Sequence, residues 1–203
     1  MFSQYGEERV INNFFSGKTG GLVVDVGAMD GETYSNSRDL IINYNWKAVL
    51  VEPHPDFFSA LEKLYSNNDD VIIKNLACYH EEKVLDFYVY SDGKESCVST
   101  VSSDFKERVI KAHGDKFKAE SVKVQSVRLE KILSECEKID FLSIDCEGVD
   151  MEVLSSNNWS KYRPSLICIE HSMSHEELHQ FMSKINYSVY DKTAGNTFFK
   201  ENN

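Results

Sequence analysis

The amino-acid sequence predicts an α/β fold built on a mostly parallel, doubly wound sheet. Five short apolar runs, rich in Val and Ile, alternate along the chain with segments of helical spacing. The runs are apolar at consecutive positions, as expected for parallel strands that helices cover on both faces. Near the C-terminus, two short aromatic runs flank an Ala-Gly-Asn turn, which predicts an antiparallel hairpin. The predicted architecture is therefore a Rossmann-like sheet that ends in a C-terminal antiparallel hairpin.

Each element follows from its local pattern. The five apolar runs that predict the parallel strands are Gly21–Val26, Ala48–Glu52, Val71–Ala77, Ile139–Asp145 and Ser165–Glu170. Apolar residues three or four positions apart predict helices over Asp56–Tyr65, Glu147–Leu154 and Glu176–Ile185. Alternating residues predict further strands over Val84–Tyr90 and Val122–Leu129, and the hairpin strands are Tyr187–Tyr190 and Thr197–Phe199.

Composition restricts the class of protein. The chain has 203 residues, which suggests one domain, 1–203, with residues 91–121 as an insertion or lid over the active site. Its net charge of −11 argues against a nucleic-acid partner, since such proteins usually have a basic face. The five cysteines form no CxxC pair, which indicates a reducing compartment. No signal peptide or membrane span is predicted, so we expect a cytoplasmic protein.

The predicted strand ends hold the candidate ligand-binding residues, because ligands of doubly wound sheets lie beyond the carboxyl ends of the strands. Asp25, Gly27 and Gly31 form a D-x-G-x-x-x-G turn after the first strand. This is not the G-x-G-x-x-G pattern of dinucleotide sites, and a glycine turn without a ligand is equally compatible. Glu52 ends the second strand, at a spacing that suits a carboxylate bound to ribose hydroxyls. A solvated glutamate is the alternative.

Acidic residues follow the fourth and fifth predicted strands. Asp145 and Glu147 lie where the fourth ends, and Glu170 and His171 where the fifth ends. The two carboxylates of Asp145 and Glu170 with the imidazole of His171 suit Mg²⁺ or Mn²⁺, and they equally suit acid–base catalysis. A hydrogen-bonded cluster without a metal is compatible with the same residues.

Together these segments resemble the FkbM family of class I S-adenosylmethionine-dependent methyltransferases. The most specific match is the Ile-Asp-Cys-Glu-Gly sequence of residues 144–148 with Val153 and Leu154 downstream. The remaining matches, in family order, are 3–8, 24–36, 51–55, 127–133 and 195–199. The resemblance covers nearly the whole chain, except for residues 91–121.

The resemblance implies methyl transfer from S-adenosylmethionine to a hydroxyl oxygen of a small molecule, most often a sugar, sugar-nucleotide or natural-product intermediate. It implies that Glu52 holds the ribose, that Asp145 faces the sulfonium, and that Glu147 or His171 is the base. Asp145, Glu147 and His171 are thus the expected catalytic group. The other expected cofactor-binding residues are Asp25, Gly27 and Gly31 beside the methionine part, Gln4, Thr33 and Asn36 for its amino and carboxylate groups, and Asn75 and Ala77 near the adenine.

A divalent metal is a further expectation. Catechol O-methyltransferase, which has the same fold, holds Mg²⁺ at the ends of its fourth and fifth strands. Asp145, Glu170 and His171 occupy the corresponding places and are the expected ligands of Mg²⁺ or Mn²⁺.

Two other classes of function fit parts of the sequence. His175, Glu176 and His179 spell HExxH, the signature of zinc hydrolases, although Ser174–Glu177 also fits the start of an ordinary helix. A non-catalytic nucleotide-binding scaffold would have the same fold, because a fold does not determine function.

Overall fold

The computed structural model describes residues 2–90, 98–113, 119–170 and 175–202. Its ten strands are β1 Leu22–Val26, β2 Lys47–Val51, β3 Val71–Lys74, β4 Ala77–Cys78, β5 Val84–Tyr90, β6 Ala119–Val127, β7 Phe141–Ile144, β8 Leu166–Glu170, β9 Tyr187–Lys192 and β10 Asn196–Glu201. Its helices are α1 Glu7–Phe15, α2 Arg38–Tyr44, α3 Pro55–Leu64, α4 Ser103–His113, α5 Leu129–Leu133, α6 Asp150–Ser155 and α7 His175–Lys184.

Seven strands form the main sheet, in the order β3-β2-β1-β7-β8-β10-β9. The first five of these are parallel, whereas β10 is antiparallel to both β8 and β9. The predicted α/β fold, with a mostly parallel sheet and a C-terminal antiparallel hairpin, is confirmed. A second, three-stranded sheet has the order β4-β6-β5 and contains both alternating segments.

Alternating side chains of the central strands point to the two faces of the main sheet, and helices cover both faces. In β1, Val24 and Val26 pack on the face covered by α5, α6 and α7, while Val23 packs on the face covered by α1, α2 and α3. Both faces are therefore apolar, which accounts for the uninterrupted hydrophobic runs in the sequence. The chain passes from β1 outwards to β3 on one side and returns to β7 on the other. This reversal opens a crevice above the ends of β1 and β7.

Some element boundaries differ from the sequence prediction for local reasons. The helix predicted from Glu147 begins only at Asp150, because Glu147 and Gly148 have positive φ angles of 50° and 92°. The third run ends as a strand at Lys74, and residues 77–78 pair with β6 instead. The predicted insertion 91–121 contains α4, and residues 91–97 and 114–118 lie outside the described residues.

Within the described part of the chain, no helix is long and apolar enough to cross a membrane.

Candidate active site

A cavity of about 360 Å³ lies at the carboxyl ends of β1, β2, β7 and β8. Most of the predicted site residues line it: Gln4, Asp25, Gly27, Thr33, Asn36, Glu52, Ala77, Asp145, Glu147 and Glu170. Gly31 and Asn75 are not among the lining residues, and His171 lies outside the described residues. The fold thus gathers residues from near both ends of the chain and from seven strands at one place.

Gly27 lets the loops after β1 and β7 approach each other. Its φ angle is 88°, and a Cβ atom there would lie 1.9 Å from the carbonyl oxygen of Asp145. The amides of Gly27 and Ala28 both donate to the carbonyl of Val51, which fixes the turn to β2 as well. Only glycine fits this conformation and this contact, so the glycine turn is built for a close approach of three strand ends.

Asp25 is a buried residue of β1 that lines the cavity. Its side chain is 4% exposed and accepts a hydrogen bond of 2.6 Å from the Ser37 hydroxyl at the start of α2. Burial raises the pKa of Asp25, and the hydrogen bonds of Ser37 and Ser143 oppose that rise. Beside it, the Asn36 amide donates to the Ser143 hydroxyl at 3.2 Å. The loop before α2 is therefore tied to β1 and β7 through side chains.

Glu52 is a buried carboxylate at the end of β2. Its two oxygens accept hydrogen bonds from the amides of Met29, at 2.8 Å, and His54, at 2.7 Å. Burial raises the pKa of Glu52 to about 7, against the lowering effect of these two hydrogen bonds. Each carboxylate oxygen can accept two hydrogen bonds, so each keeps room for one donor from a ligand.

Two of the predicted binding residues, Asn75 and Gly31, contact other parts of the protein and do not line the cavity. The Asn75 amide donates to the carbonyls of Glu52, at 3.0 Å, and Pro53, at 3.5 Å, so it holds the loop after β2. Gly31, with a φ angle of 75°, packs against α3, where a Cβ atom would lie 2.6 Å from Leu61. Gln4 and Thr33 are exposed at the rim, and Asp30 holds Thr33 through its amide and its hydroxyl.

Asp145, Glu147 and Glu170 form an acidic cluster in the cavity wall. One carboxylate oxygen from each lies within 4.8 Å of the other two. Burial, and then repulsion from the neighbouring carboxylates, raises the pKa values of Asp145 and Glu147 well above their usual range. The Oδ1 atom of Asp145 is buried with no hydrogen-bond partner among the described residues. Such a cluster readily takes up a proton or a cation.

The insertion holds the loop that carries Glu147. The Thr100 hydroxyl donates to the carbonyl of Glu147 at 2.7 Å, and Phe105 packs on Gly148, where a Cβ atom would lie 2.7 Å from its ring. Sequence reasoning missed Thr100 and Phe105, because nothing in residues 91–121 matches a known pattern. It also missed Glu7, a buried residue of α1 that lines the same cavity.

The HExxH segment has an ordinary structural role where the structure describes it. His175 is the first residue of α7, and the ring of His179 makes an edge contact with Phe199 of β10, at 5.6 Å between ring centroids. His179 therefore belongs to the packing of α7 on the main sheet.

The sheet order, the glycine turn at its switch point and the acidic strand ends define a class I methyltransferase fold. The sequence model of the methyltransferase FkbM domain matches residues 25–189. Because that match spans most of the chain, the protein belongs to the FkbM methyltransferase family. No curated protein sequence matches the chain.

Solved structures have the same fold at low sequence identity. The methyltransferase FkbM from Methylobacillus flagellatus is 13% identical with a TM-score of 0.54, over 89% of this chain and 43% of that one. The protein yhhF from Escherichia coli is 12% identical with a TM-score of 0.52, over 98% and 87%. TrmK from M. capricolum, solved with S-adenosyl-homocysteine, is 10% identical with a TM-score of 0.50, over 98% and 68%. The chain spans less than half the length of the M. flagellatus protein.

Proposed function

We propose that this methyltransferase transfers a methyl group to a hydroxyl oxygen of a sugar or sugar-nucleotide. The observation that carries the proposal is the acidic cluster of Asp145, Glu147 and Glu170 in the cavity wall. A hydroxyl nucleophile must lose its proton during transfer, and carboxylates with raised pKa values suit that role. Carboxylates also accept hydrogen bonds from several hydroxyls, as a polyol acceptor offers. The net charge of −11 disfavours an acceptor with a nucleic-acid backbone.

The cavity residues fit S-adenosylmethionine, which supplies a methyl group on a positively charged sulfur when bound. Glu52 would accept both ribose hydroxyls through its remaining lone pairs. The side chains of Gln4, Thr33 and Asn36 would bind the amino and carboxylate groups, with Asp25 and Gly27 beneath them. Ala77 would lie beside the adenine, while Gly31 and Asn75 keep the two loops in place.

The cluster residues take different parts in the proposed reaction. Asp145, in contact with Gly27, would face the positive sulfur, whose charge favours an ionised carboxylate. Glu147 would take the hydroxyl proton as the acceptor oxygen bonds to the methyl carbon and the carbon–sulfur bond breaks. His171 remains a proposed alternative base. The largest rate enhancement is expected from holding the acceptor oxygen in line with the carbon–sulfur bond. Such positioning can accelerate a reaction by several orders of magnitude.

The test of this proposal is where a labelled methyl group goes. The protein is mixed with methyl-tritiated S-adenosylmethionine and, separately, with sugar-nucleotides, RNA and an unrelated protein. The proposal predicts label in the sugar-nucleotide, in a form that survives alkali because it is an ether. Label in RNA or protein, or label released by alkali as from an ester, would contradict it. Cofactor binding without transfer to any acceptor would support a non-catalytic scaffold instead.

The raised pKa of Glu52 leads to a pH-dependent affinity. Ribose hydroxyls donate to the ionised carboxylate, so binding should strengthen as the pH rises through the pKa of about 7. From pH 6 to pH 8 the ionised fraction rises about tenfold, and we expect the affinity for S-adenosylhomocysteine to rise by about the same factor. Calorimetry at several pH values measures this. In the Glu52→Gln variant the dependence should be lost; a slope equal to that of the wild type would refute the assignment.

The acidic cluster also fits a divalent cation by its chemistry. Three carboxylates within 4.8 Å provide the oxygen ligands that Mg²⁺ and Mn²⁺ prefer, and the buried Oδ1 of Asp145 lacks another partner in the described chain. Asp145 and Glu170 are two of the predicted ligands, whereas the third, His171, lies outside the described residues. We propose Asp145 and Glu170 as ligands, with Glu147 beside them as the base; a bound cation would orient an acceptor hydroxyl and lower its pKa.

Thermal unfolding tests the cation site without an activity assay. Mg²⁺ or Mn²⁺ at millimolar concentration should raise the melting temperature of the wild type by about 2–4 °C. The Glu170→Gln variant should show no such rise, while the exposed control Glu62→Gln should behave like the wild type. Equal shifts in all three proteins, or none in the wild type, would exclude a site at the cluster.

A further inference from the structure

The segment before α1 contributes two residues to the lining of the cavity proposed to hold the cofactor. Residues Phe2–Gly6, here called the N-terminal strap, precede α1, and two of them, Gln4 and Tyr5, line the cavity. Ser3 forms an isolated parallel bridge with Tyr34, which belongs to the loop after the glycine turn. The strap therefore lies against the same loop that is expected to bind the methionine part of the cofactor.

Two adjacent glutamates fold the strap and fix it. The carboxylate of Glu8 accepts hydrogen bonds from the amides of Phe2 and Ser3 and from the Ser3 hydroxyl. The carboxylate of Glu7 is fully buried and accepts a hydrogen bond of 2.8 Å from the amide of Tyr5. Glu8 thus shapes the start of the strap, and Glu7 holds its cavity end.

Glu7 also joins the strap to the opposite end of the chain. The turn Thr193–Asn196, here called the hairpin turn, connects β9 to β10. The Thr193 hydroxyl donates to Glu7 at 2.6 Å, and the Asn196 amide donates to the same oxygen at 3.1 Å. Burial raises the pKa of Glu7, but these hydrogen bonds and that of Tyr5 outweigh it and hold the pKa below its usual value. Glu7 is therefore an ionised anchor at neutral pH.

The ring of Tyr5 completes the contact. It lies on Gly195, where a Cβ atom would be 2.5 Å from the ring. Tyr5 itself is about half exposed, so the ring covers the hairpin turn rather than filling the core. A side chain at position 195 would displace the ring from this position. The N-terminal strap and the hairpin turn are thus joined by the hydrogen bonds of Glu7 and by the packing of Tyr5 on Gly195.

We propose that Glu7 is a positioning residue, and that its hydrogen bonds to Thr193 and Asn196 hold the strap over the bound cofactor. The inference rests on the proposed cofactor contacts of the cavity, since the strap contributes Gln4 and Tyr5 to them. A strap released from the hairpin turn must be ordered again when the cofactor binds. The apparent affinity is the intrinsic affinity multiplied by the fraction of molecules in which the strap is already in place, so it falls as that fraction falls. Thr193, which does not line the cavity, therefore controls cofactor affinity from outside.

A pair of Thr193 variants tests this control. Thr193→Val keeps the shape but removes the hydroxyl, and Thr193→Ser keeps the hydroxyl. We expect Thr193→Val to weaken binding of S-adenosylhomocysteine about five- to tenfold in calorimetry, and Thr193→Ser to bind within about twofold of the wild type. Melting temperatures are measured beside the affinities. If Thr193→Val lowers the melting temperature and binds like the wild type, the contact is merely structural and the inference is overturned.

A second variant covers the case in which Thr193→Val does not fold. Gly195→Ala adds one methyl group against the Tyr5 ring and should weaken binding several-fold. Truncation of the ring in Tyr5→Ala removes the clash, so adding Gly195→Ala to Tyr5→Ala should cost no further affinity. Additive losses would overturn the inference. Failure of the wild type to bind either S-adenosylmethionine or S-adenosylhomocysteine would instead overturn the proposed cofactor contacts, and this inference with them.

Discussion

Replacing Gly27 with alanine is expected to abolish cofactor binding and to lower the free energy of unfolding by about 2–5 kcal/mol. The new Cβ atom would lie 1.9 Å from the carbonyl oxygen of Asp145, and the φ angle of 88° disfavours any side chain. The clash is with backbone, so the loops after β1 and β7 must separate. This separation would widen the crevice in which the cofactor lies and move Asp145 away from it.

Gly20 provides a matched control for this variant. Its φ angle is 71°, yet a Cβ atom there would meet no atom within 4 Å. Gly20→Ala should therefore lose only the conformational cost, about 1–2 kcal/mol, and should keep cofactor affinity. Urea unfolding and calorimetry with S-adenosylhomocysteine compare the two. If Gly27→Ala is no less stable than Gly20→Ala, or binds as well as the wild type, the close approach of the loops is not essential.

Replacing Glu147 with glutamine is expected to lower kcat about 10²- to 10⁴-fold, the range associated with a general base. Cofactor affinity should stay near that of the wild type, because the proposed role concerns the acceptor proton. Single-turnover methyl transfer to the sugar-nucleotide identified by tritium labelling measures the rate. Glu152→Gln, in the adjoining helix α6, serves as the control for removing one negative charge from this segment. A fully active Glu147→Gln variant would assign the base elsewhere, with His171 as the next candidate.

The same variant has a defined effect on the pH profile. A carboxylate acts as a base only when ionised, and burial with repulsion raises the pKa values of Asp145 and Glu147 well above normal. The rate in the wild type should therefore rise with pH, with its midpoint above the range of ordinary carboxyl groups, as the coupled cluster loses its proton. In the Glu147→Gln variant, the rise of the rate with pH should move to a different pH or disappear. An unchanged pH dependence of the rate would show that the cluster does not remove the acceptor proton.

The sequence predicted the sheet well because strand burial leaves a strong local signal. All five parallel strands fall within the apolar runs or overlap them, and the hairpin is in place. The start of the helix after β7 was predicted too early. The residue pattern after Asp145 predicts a helix from Glu147. In the structure Glu147 has a left-handed backbone conformation, and the Thr100 hydroxyl donates a hydrogen bond to its carbonyl. That contact spans 47 positions of the chain, and no local pattern announces it.

The site was predictable to the extent that strand ends determine it. Asp25, Glu52, Asp145 and Glu170 line the cavity because parallel strands end at one edge of the sheet. Two predicted residues, Gly31 and Asn75, lie behind the cavity wall, since adjacency in sequence does not fix the direction of a side chain. Glu7 could not be predicted, because its partner Thr193 is 186 positions away. Contacts between the two chain ends depend on the closed sheet and not on any segment alone.

The cavity is proposed to hold the cofactor with its ribose on Glu52. Calorimetric titration of S-adenosylmethionine into the wild type and the Glu52→Gln variant at pH 8 tests it most directly. Since two hydrogen bonds to a charged group are weakened, we predict micromolar binding by the wild type and a loss of about ten- to a hundredfold in the variant. Unchanged melting temperature would assign that loss to the ligand contact. Equal affinity in the two proteins, or no binding by the wild type, would contradict the account.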